Sequence, residues 1–183
     1  MVSASLCYSP PSWLLVECLA FVMSDSLAIK FENEMSRLEL QFTPGEGRTF
    51  NSVARIHQGH LDLSFTFCCF GYDLAEFATD LLAFHSRYDG SARFDTQDGY
   101  VKLDFSFIHP ARGVVGITAT FYQWIAWPAD CPTAMQEAER CTLVFTGFTI
   151  EQSYLPALVG QIREFLSLAG ISTAHPMIPE PSA

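Results

Sequence analysis

Positive charge is scarce in this chain: ten Lys and Arg stand against twenty Asp and Glu, a formal net charge of −10 over 183 residues. Binding a phosphate backbone relies on Lys and Arg neutralising phosphates and releasing counterions, so the charge balance argues against a nucleic-acid partner. It argues equally against adsorption to an anionic membrane. Short catalytic signatures are missing too. There is no G-x-G-x-x-G or G-x-x-x-x-G-K-S/T phosphate loop, no G-x-S-x-G elbow, no H-E-x-x-H and no C-x-x-C. Any active site would have to be assembled from scattered residues. The apolar run Trp13 to Met23 falls short of the roughly 20 residues of a spanning helix and is interrupted by Glu17. No Lys or Arg precedes Lys30, which argues against an export signal. No internal repeat or low-complexity block is visible.

The six cysteines (Cys7, Cys18, Cys68, Cys69, Cys131, Cys141) follow no framework spacing. Buried free thiols acting as small hydrophobes are the expectation, in a reducing cytoplasm. Cys68 and Cys69 are adjacent in a strand-like run and should point to opposite faces. Cys131 and Cys141 bracket a Pro-containing loop and could close it or join a metal site; inert thiols are the simpler expectation.

About half of the chain is apolar, and sixteen residues are Phe. A chain of this length can bury a core without metals or disulfides. Met23-Ser-Asp-Ser reads as a translation start, so residues 1–22 are expected to be an N-terminal extension. A single domain is then expected over 23–170, with a loose tail, containing Pro176, Pro179 and Pro181, over 171–183.

Periodicity defines the elements. Strands are expected at Ala28 to Phe31, at Leu38/Leu40/Phe42, more weakly at Ser52 to His57, and at Leu61/Leu63/Phe65/Phe67. Leu74, Phe77, Leu81, Phe84 and Tyr88 recur at helical spacing, predicting a helix over 73–88 with Asp73 as N-cap, Glu76 three positions on, and Asp89-Gly90 as the stop. Thr96-Gln97-Asp98-Gly99 joins a short strand at 92–95 to a strictly alternating one at 100–108. A long strand runs from Val114 to about Trp124, with Val115, Ile117, Ala119 and Phe121 on one face. Residues 128–140 read as a loop, with a short helix near 134–139. A last strand over 141–150 leads to a helix capped by Ser153, with Pro156 in its first turn and an apolar stripe of Leu155, Leu158, Val159, Ile162, Phe165 and Leu166. Together these predict an α+β fold: a largely antiparallel sheet of about seven strands with both amphipathic helices on one face.

Chemistry is harder to find. His57-x-x-His60-x-Asp62 has ligand types that suit zinc or iron, although the two histidines flank a Gln58-Gly59 turn where surface histidines are common. His85 and His109 have no sequence-visible partner to make either a general base. The acids Asp73, Glu76 and Asp80 fall on neighbouring turns of the first helix, either as a solvated face or as a docking surface for a cationic partner. Tyr122, Trp124 and Trp127 end the longest strand, where aromatics serve as interface anchors, rim a pocket or pack in the core.

The run DLAEFATDLLAFHSRYDGSARFDTQDGYVKLDFSFIHPARGVVGITATF resembles the central block of the WapI-type immunity proteins, small bacterial proteins that accompany polymorphic or contact-dependent toxins. Leu74/Phe77/Leu81, Phe94, Asp98-Gly99, Val101 to Phe107 and Gly113-Val114-Val115 carry the likeness. FTIEQSYLPALVGQIREFL is similar to the family's closing strand and helix, with Gln152-Ser153-Tyr154-Leu155 opening that helix. The likeness covers about Ala28 to Ala169. It implies a non-enzymatic cytoplasmic protein with no cofactor and no catalytic residues to carry over. Such a protein blocks a toxin, here a basic domain, through an acidic and aromatic surface. Asp73, Glu76, Asp80, Tyr122, Trp124 and Trp127 are the candidate contacts. Two other expectations stand beside it: a small-ligand or metal-dependent enzymatic domain using His57, His60 and Asp62, and a homodimer through an exposed sheet face.

Overall fold

The computed structural model describes residues 17–23, 26–32, 36–125 and 139–171. Five strands form one antiparallel sheet in chain order: β1 (Glu17–Met23), β2 (Ser26–Glu32), β3 (Ser36–Pro44), β4 (Thr49–Gln58) and β5 (Leu61–Phe70). Helix α1 (Gly71–Arg87) follows. Four more strands form a second antiparallel sheet, β6 (Ser91–Asp95), β7 (Val101–His109), β8 (Val114–Ile125) and β9 (Glu139–Glu151). A single 3₁₀ turn, Gln152–Tyr154, then opens α2 (Leu155–Leu168).

The α+β class is as expected, but the single sheet of about seven strands is not. Among the described residues nine strands are split into two sheets, α1 interrupting the meander, and no strand pair crosses from β5 to β6. Alternation tells which face of a strand is buried, not which strand lies beside it. The helices do not share one face of one sheet either. They pack on each other, α1 lying over β6 and α2 reaching β1 and β2. The run Glu17–Met23, expected to precede the domain, pairs with β2 from Glu17↔Glu32 to Met23↔Ser26. Its apolar residues lack the polar alternation that signals a half-buried strand.

Each sheet buries one face. Leu27, Ile29, Phe31, Leu38, Leu40 and Phe42 from the first sheet meet Phe94, Leu103, Phe105, Ile117 and Phe121 from the second in one core. Phenylalanine bridges the layers. Phe42 stands edge-on to both Phe67 and Phe94, Phe31 edge-on to Phe105, and Phe77 of α1 lies 5.4 Å from Phe94 and from Phe105. Phe50 and Phe165 bring α2 onto β4. Full burial of each such ring removes enough apolar surface to stabilise the fold by roughly 1.5–3 kcal/mol.

Four strands followed by a helix occur twice, as β2–β5 with α1 and as β6–β9 with α2. The buried residues correspond at one constant offset. Phe67 and Cys69 match Phe148 and Ile150; Leu74, Phe77, Ala78, Leu81 and Phe84 match Leu155, Leu158, Val159, Ile162 and Phe165. The two helices run antiparallel. At one end Gln152 donates its side-chain amide to the carbonyl of His85 at 3.0 Å. At the other, Gly71 leaves room for Ile171, whose side chain a Cβ on Gly71 would strike. This internal correspondence is hidden in the sequence because it preserves burial rather than residue identity.

The helix boundaries shift slightly. α1 begins two residues before Asp73, which sits at N3 and accepts a 2.9 Å hydrogen bond from the Phe70 amide at the N-cap. The periodic pattern starts only at Leu74, so Gly71 and Tyr72 carried no helical signal. The helix stops at Tyr88, in the left-handed region at φ 55°, ahead of Asp89-Gly90. Ser153 lies within the 3₁₀ turn, and Tyr154 occupies the N-cap of α2 with Pro156 in its first turn, as expected.

Candidate functional site

The three acids along one edge of α1 are the ones their spacing singles out, and the fold adds a second wall. Asp73, Glu76 and Asp80 line an open cleft of about 390 Å³ together with Ser91, Arg93 and Asp95 of β6. The placement follows from two periodicities. On α1 the acids lie beside the buried stripe, at the margin where the helix leans over β6. On β6, Ala92 and Phe94 are buried, so Ser91, Arg93 and Asp95 point outward.

Charge in the cleft is unequally neutralised. The Arg93 guanidinium donates to Asp104 at 2.8 Å, and Lys102 reaches the same carboxylate at 3.1 Å. That hydrogen bond, then the fields of Asp104, Asp95 and Asp80, push the guanidinium above its usual range. Arg93 is thus committed to Asp104 on the outer face of the sheet. Among the described residues no ion pair involves Glu76, Asp80 or Asp95. Asp73 differs, being only 6% exposed. Burial raises its carboxyl above the usual range, against hydrogen bonds from the Phe70 and Gln97 amides that favour the ionised form, with Asp98 and Glu76 adding to the rise. Asp73 therefore holds the start of α1, while Glu76 and Asp80 are the acids open to a partner.

The β6–β7 turn separates this cleft from a second. Tyr72 of α1 donates its hydroxyl to Gln97 in the turn. Thr96, buried, closes the turn through its amide to the Val101 carbonyl at 3.1 Å. Past the turn, Tyr100, Val101, Phe121 and Tyr122 face Ser64, Phe65, Thr66 and Phe67 of β5 across a cleft of about 300 Å³. Phe65 and Phe121 stack there at 4.8 Å and 13°.

The expected acidic and aromatic surface is thus divided. Asp73, Glu76 and Asp80 share one cleft, and Tyr122 lines the other. Trp127 and the side chain of Trp124 lie outside the described residues, as do Cys131, the side chain of Cys141 and the loop helix expected near 134–139. Arg93, Asp95, Tyr100, Phe65 and Phe121 were missing from the expected site. The outward alternation of Arg93 and Asp95 around Phe94 was a readable signal; their approach to α1 was not.

His57 and Asp62 are opposite each other on β4 and β5, and His60 sits in the hairpin turn with Gly59 rather than beyond it. All three are exposed, and among the described residues no group of three or more His, Cys, Asp or Glu side chains is placed to hold a metal ion. Cys68 is exposed and Cys69 buried, on opposite faces as alternation requires; burial and the nearby Asp73 push the Cys69 thiol far up, away from nucleophilic use. Among the described residues no helix is long and apolar enough to cross a membrane. No family model, curated protein or solved structure matches the chain.

Proposed function

We propose that this protein is a non-enzymatic, cytoplasmic binding protein of the immunity type, which neutralises a cognate toxin by docking a cationic domain against α1. The observation that carries the reading is the cleft in which Glu76, Asp80 and Asp95 gather around an arginine already held by Asp104. A cationic side chain entering there meets carboxylates without displacing an internal ion pair, and complementary charge raises both on-rate and selectivity. The likeness to WapI-type immunity proteins points the same way. The aromatic cleft beyond the β6–β7 turn, with Tyr122 on its wall, extends the surface and supplies apolar contact.

Binding of the purified chain to the toxin-like product of an adjacent gene tests this reading. Affinity is expected to fall steeply with added salt and to drop in the Glu76→Gln/Asp80→Asn double variant. A tight complex indifferent to both changes, or no complex and no toxin-like neighbour, would overturn it. The competing small-ligand or metal-dependent reading predicts a stoichiometric metal that is lost in His57→Ala, and metal analysis of the purified protein separates the two.

A further inference from the structure

Among the described residues β5 is a sheet edge with few of the devices that usually close one, a lone Asp62 apart. Among the described residues it pairs only with β4, and it does so in unbroken register from Thr49↔Phe70 to Gln58↔Leu61. The run LDLSFTFCCF contains no Lys, Arg, Pro or Gly. Native edges are normally blunted by such residues, by bulges or by shortness. The edges of the second sheet are: β6 has five residues and an outward Arg93, while β9 has a register shift against β8 and a kinked Gly147 at φ 93°.

The 300 Å³ cleft lies along this edge. Side chains alternate across a strand, so a groove over one face would be lined by every second residue. Ser64, Phe65, Thr66 and Phe67 line it in succession. A cleft that touches four consecutive residues runs beside the backbone, where the outer N–H and C=O groups of β5 open. The apolar row is also incomplete there. Phe67 and Cys69 are buried, but Leu63 and Phe65 on the same face are only partly covered, and Leu61 is 44% exposed.

Charge indicates what fits. Asp62 is the one Asp, Glu, Lys or Arg on β5, Asp98 stands on the β6–β7 turn, and the chain carries a formal net charge of −10. We infer that β5 takes up an extended segment of a cationic partner by strand addition, the segment alternating apolar and basic residues. Main-chain hydrogen bonds to β5 hold it, its apolar side chains complete the row over Phe65 and Phe121, and its basic ones lie on the outer face with Asp62. This rests on the proposed function and names how the same partner engages.

The probe is an eight-residue peptide of alternating lysine and valine, capped at both ends, added at millimolar concentration to the full chain. Its control carries the same side chains but is N-methylated at every second residue, which removes donors from one backbone edge. The expected result is slowed hydrogen exchange at β5 amides with the first peptide, and binding about tenfold weaker or worse with the second, since several main-chain hydrogen bonds are lost together. Equal binding by both peptides, or no protection at β5, overturns strand addition. So does a dimer whose β5 amides are protected without peptide, because a second copy then fills the edge. If the peptide fails while a toxin domain still binds through Glu76 and Asp80, strand addition alone falls; if both fail, the proposed function falls with it.

Discussion

α1 and α2 are alike where they face the core and unlike where they face solvent. Leu74, Phe77, Leu81 and Phe84 have their counterparts in Leu155, Leu158, Ile162 and Phe165, all buried. At the same offset, Asp73, Glu76 and Asp80 correspond to Tyr154, Ala157 and Gln161, with no charge among them. A feature present in both halves is accounted for by folding. A feature present in one half alone needs another cause, and three acids on one edge of α1 are such a feature. Asp73 is partly explained by its bond to the Phe70 amide. Among the described residues Glu76 and Asp80 make no ion pair.

The comparison breaks most readily in the core. Leu81→Ala and Ile162→Ala each remove a fully buried side chain at matching positions. Each is expected to cost about 2–5 kcal/mol in urea unfolding, through lost burial and the cavity left behind. Similar losses support equivalent halves; a loss confined to one helix would show that the other half folds independently of it. The next largest effect is expected at Gln152→Ala, about 1–3 kcal/mol, because buried Gln152 ties the end of α1 to the start of α2 and its loss leaves the His85 carbonyl without that donor.

A smaller effect depends on pH. Asp73 has a folded pKa above its unfolded value of about 3.9. Its contribution to stability is therefore complete below that unfolded value and is lost as pH rises through the raised folded pKa. Melting temperatures across this window should show the decline in the wild type and a flatter profile in Asp73→Asn, which keeps an acceptor for the Phe70 amide. An unchanged slope would remove Asp73 as its source. Smallest of all, Glu76→Gln and Asp80→Asn should each alter stability by no more than about 0.5 kcal/mol, as surface substitutions do.

The apolar stripes of both helices and the inward faces of β3, β7 and β8 were legible because period alone places such residues. Asp73, Glu76 and Asp80 were legible as one helix edge for the same reason. What faces them was not, since the approach of Arg93 and Asp95 depends on α1 folding back over β6. The division into two sheets was illegible as well: alternation in Val101, Leu103 and Phe105 is the same whichever strand lies alongside. Nor did Leu61, Leu63 and Phe65 disclose that their expected core face lies at an unfinished edge, because burial there depends on what the rest of the chain leaves uncovered.

The central claim is that the acids peculiar to α1 form a docking surface, and the most direct measurement compares matched variants of the two helices. Affinity for the toxin-like product of the adjacent gene would be measured by calorimetry for the wild type, for Glu76→Gln/Asp80→Asn on α1, and for Arg163→Gln/Glu164→Gln on the exposed side of α2. The account predicts a loss of about tenfold or more in the first double variant, as expected when charged contacts are removed. The second should match the wild type, with all three proteins equally stable. Equal affinity for all three, or a loss confined to the α2 variant, would contradict it.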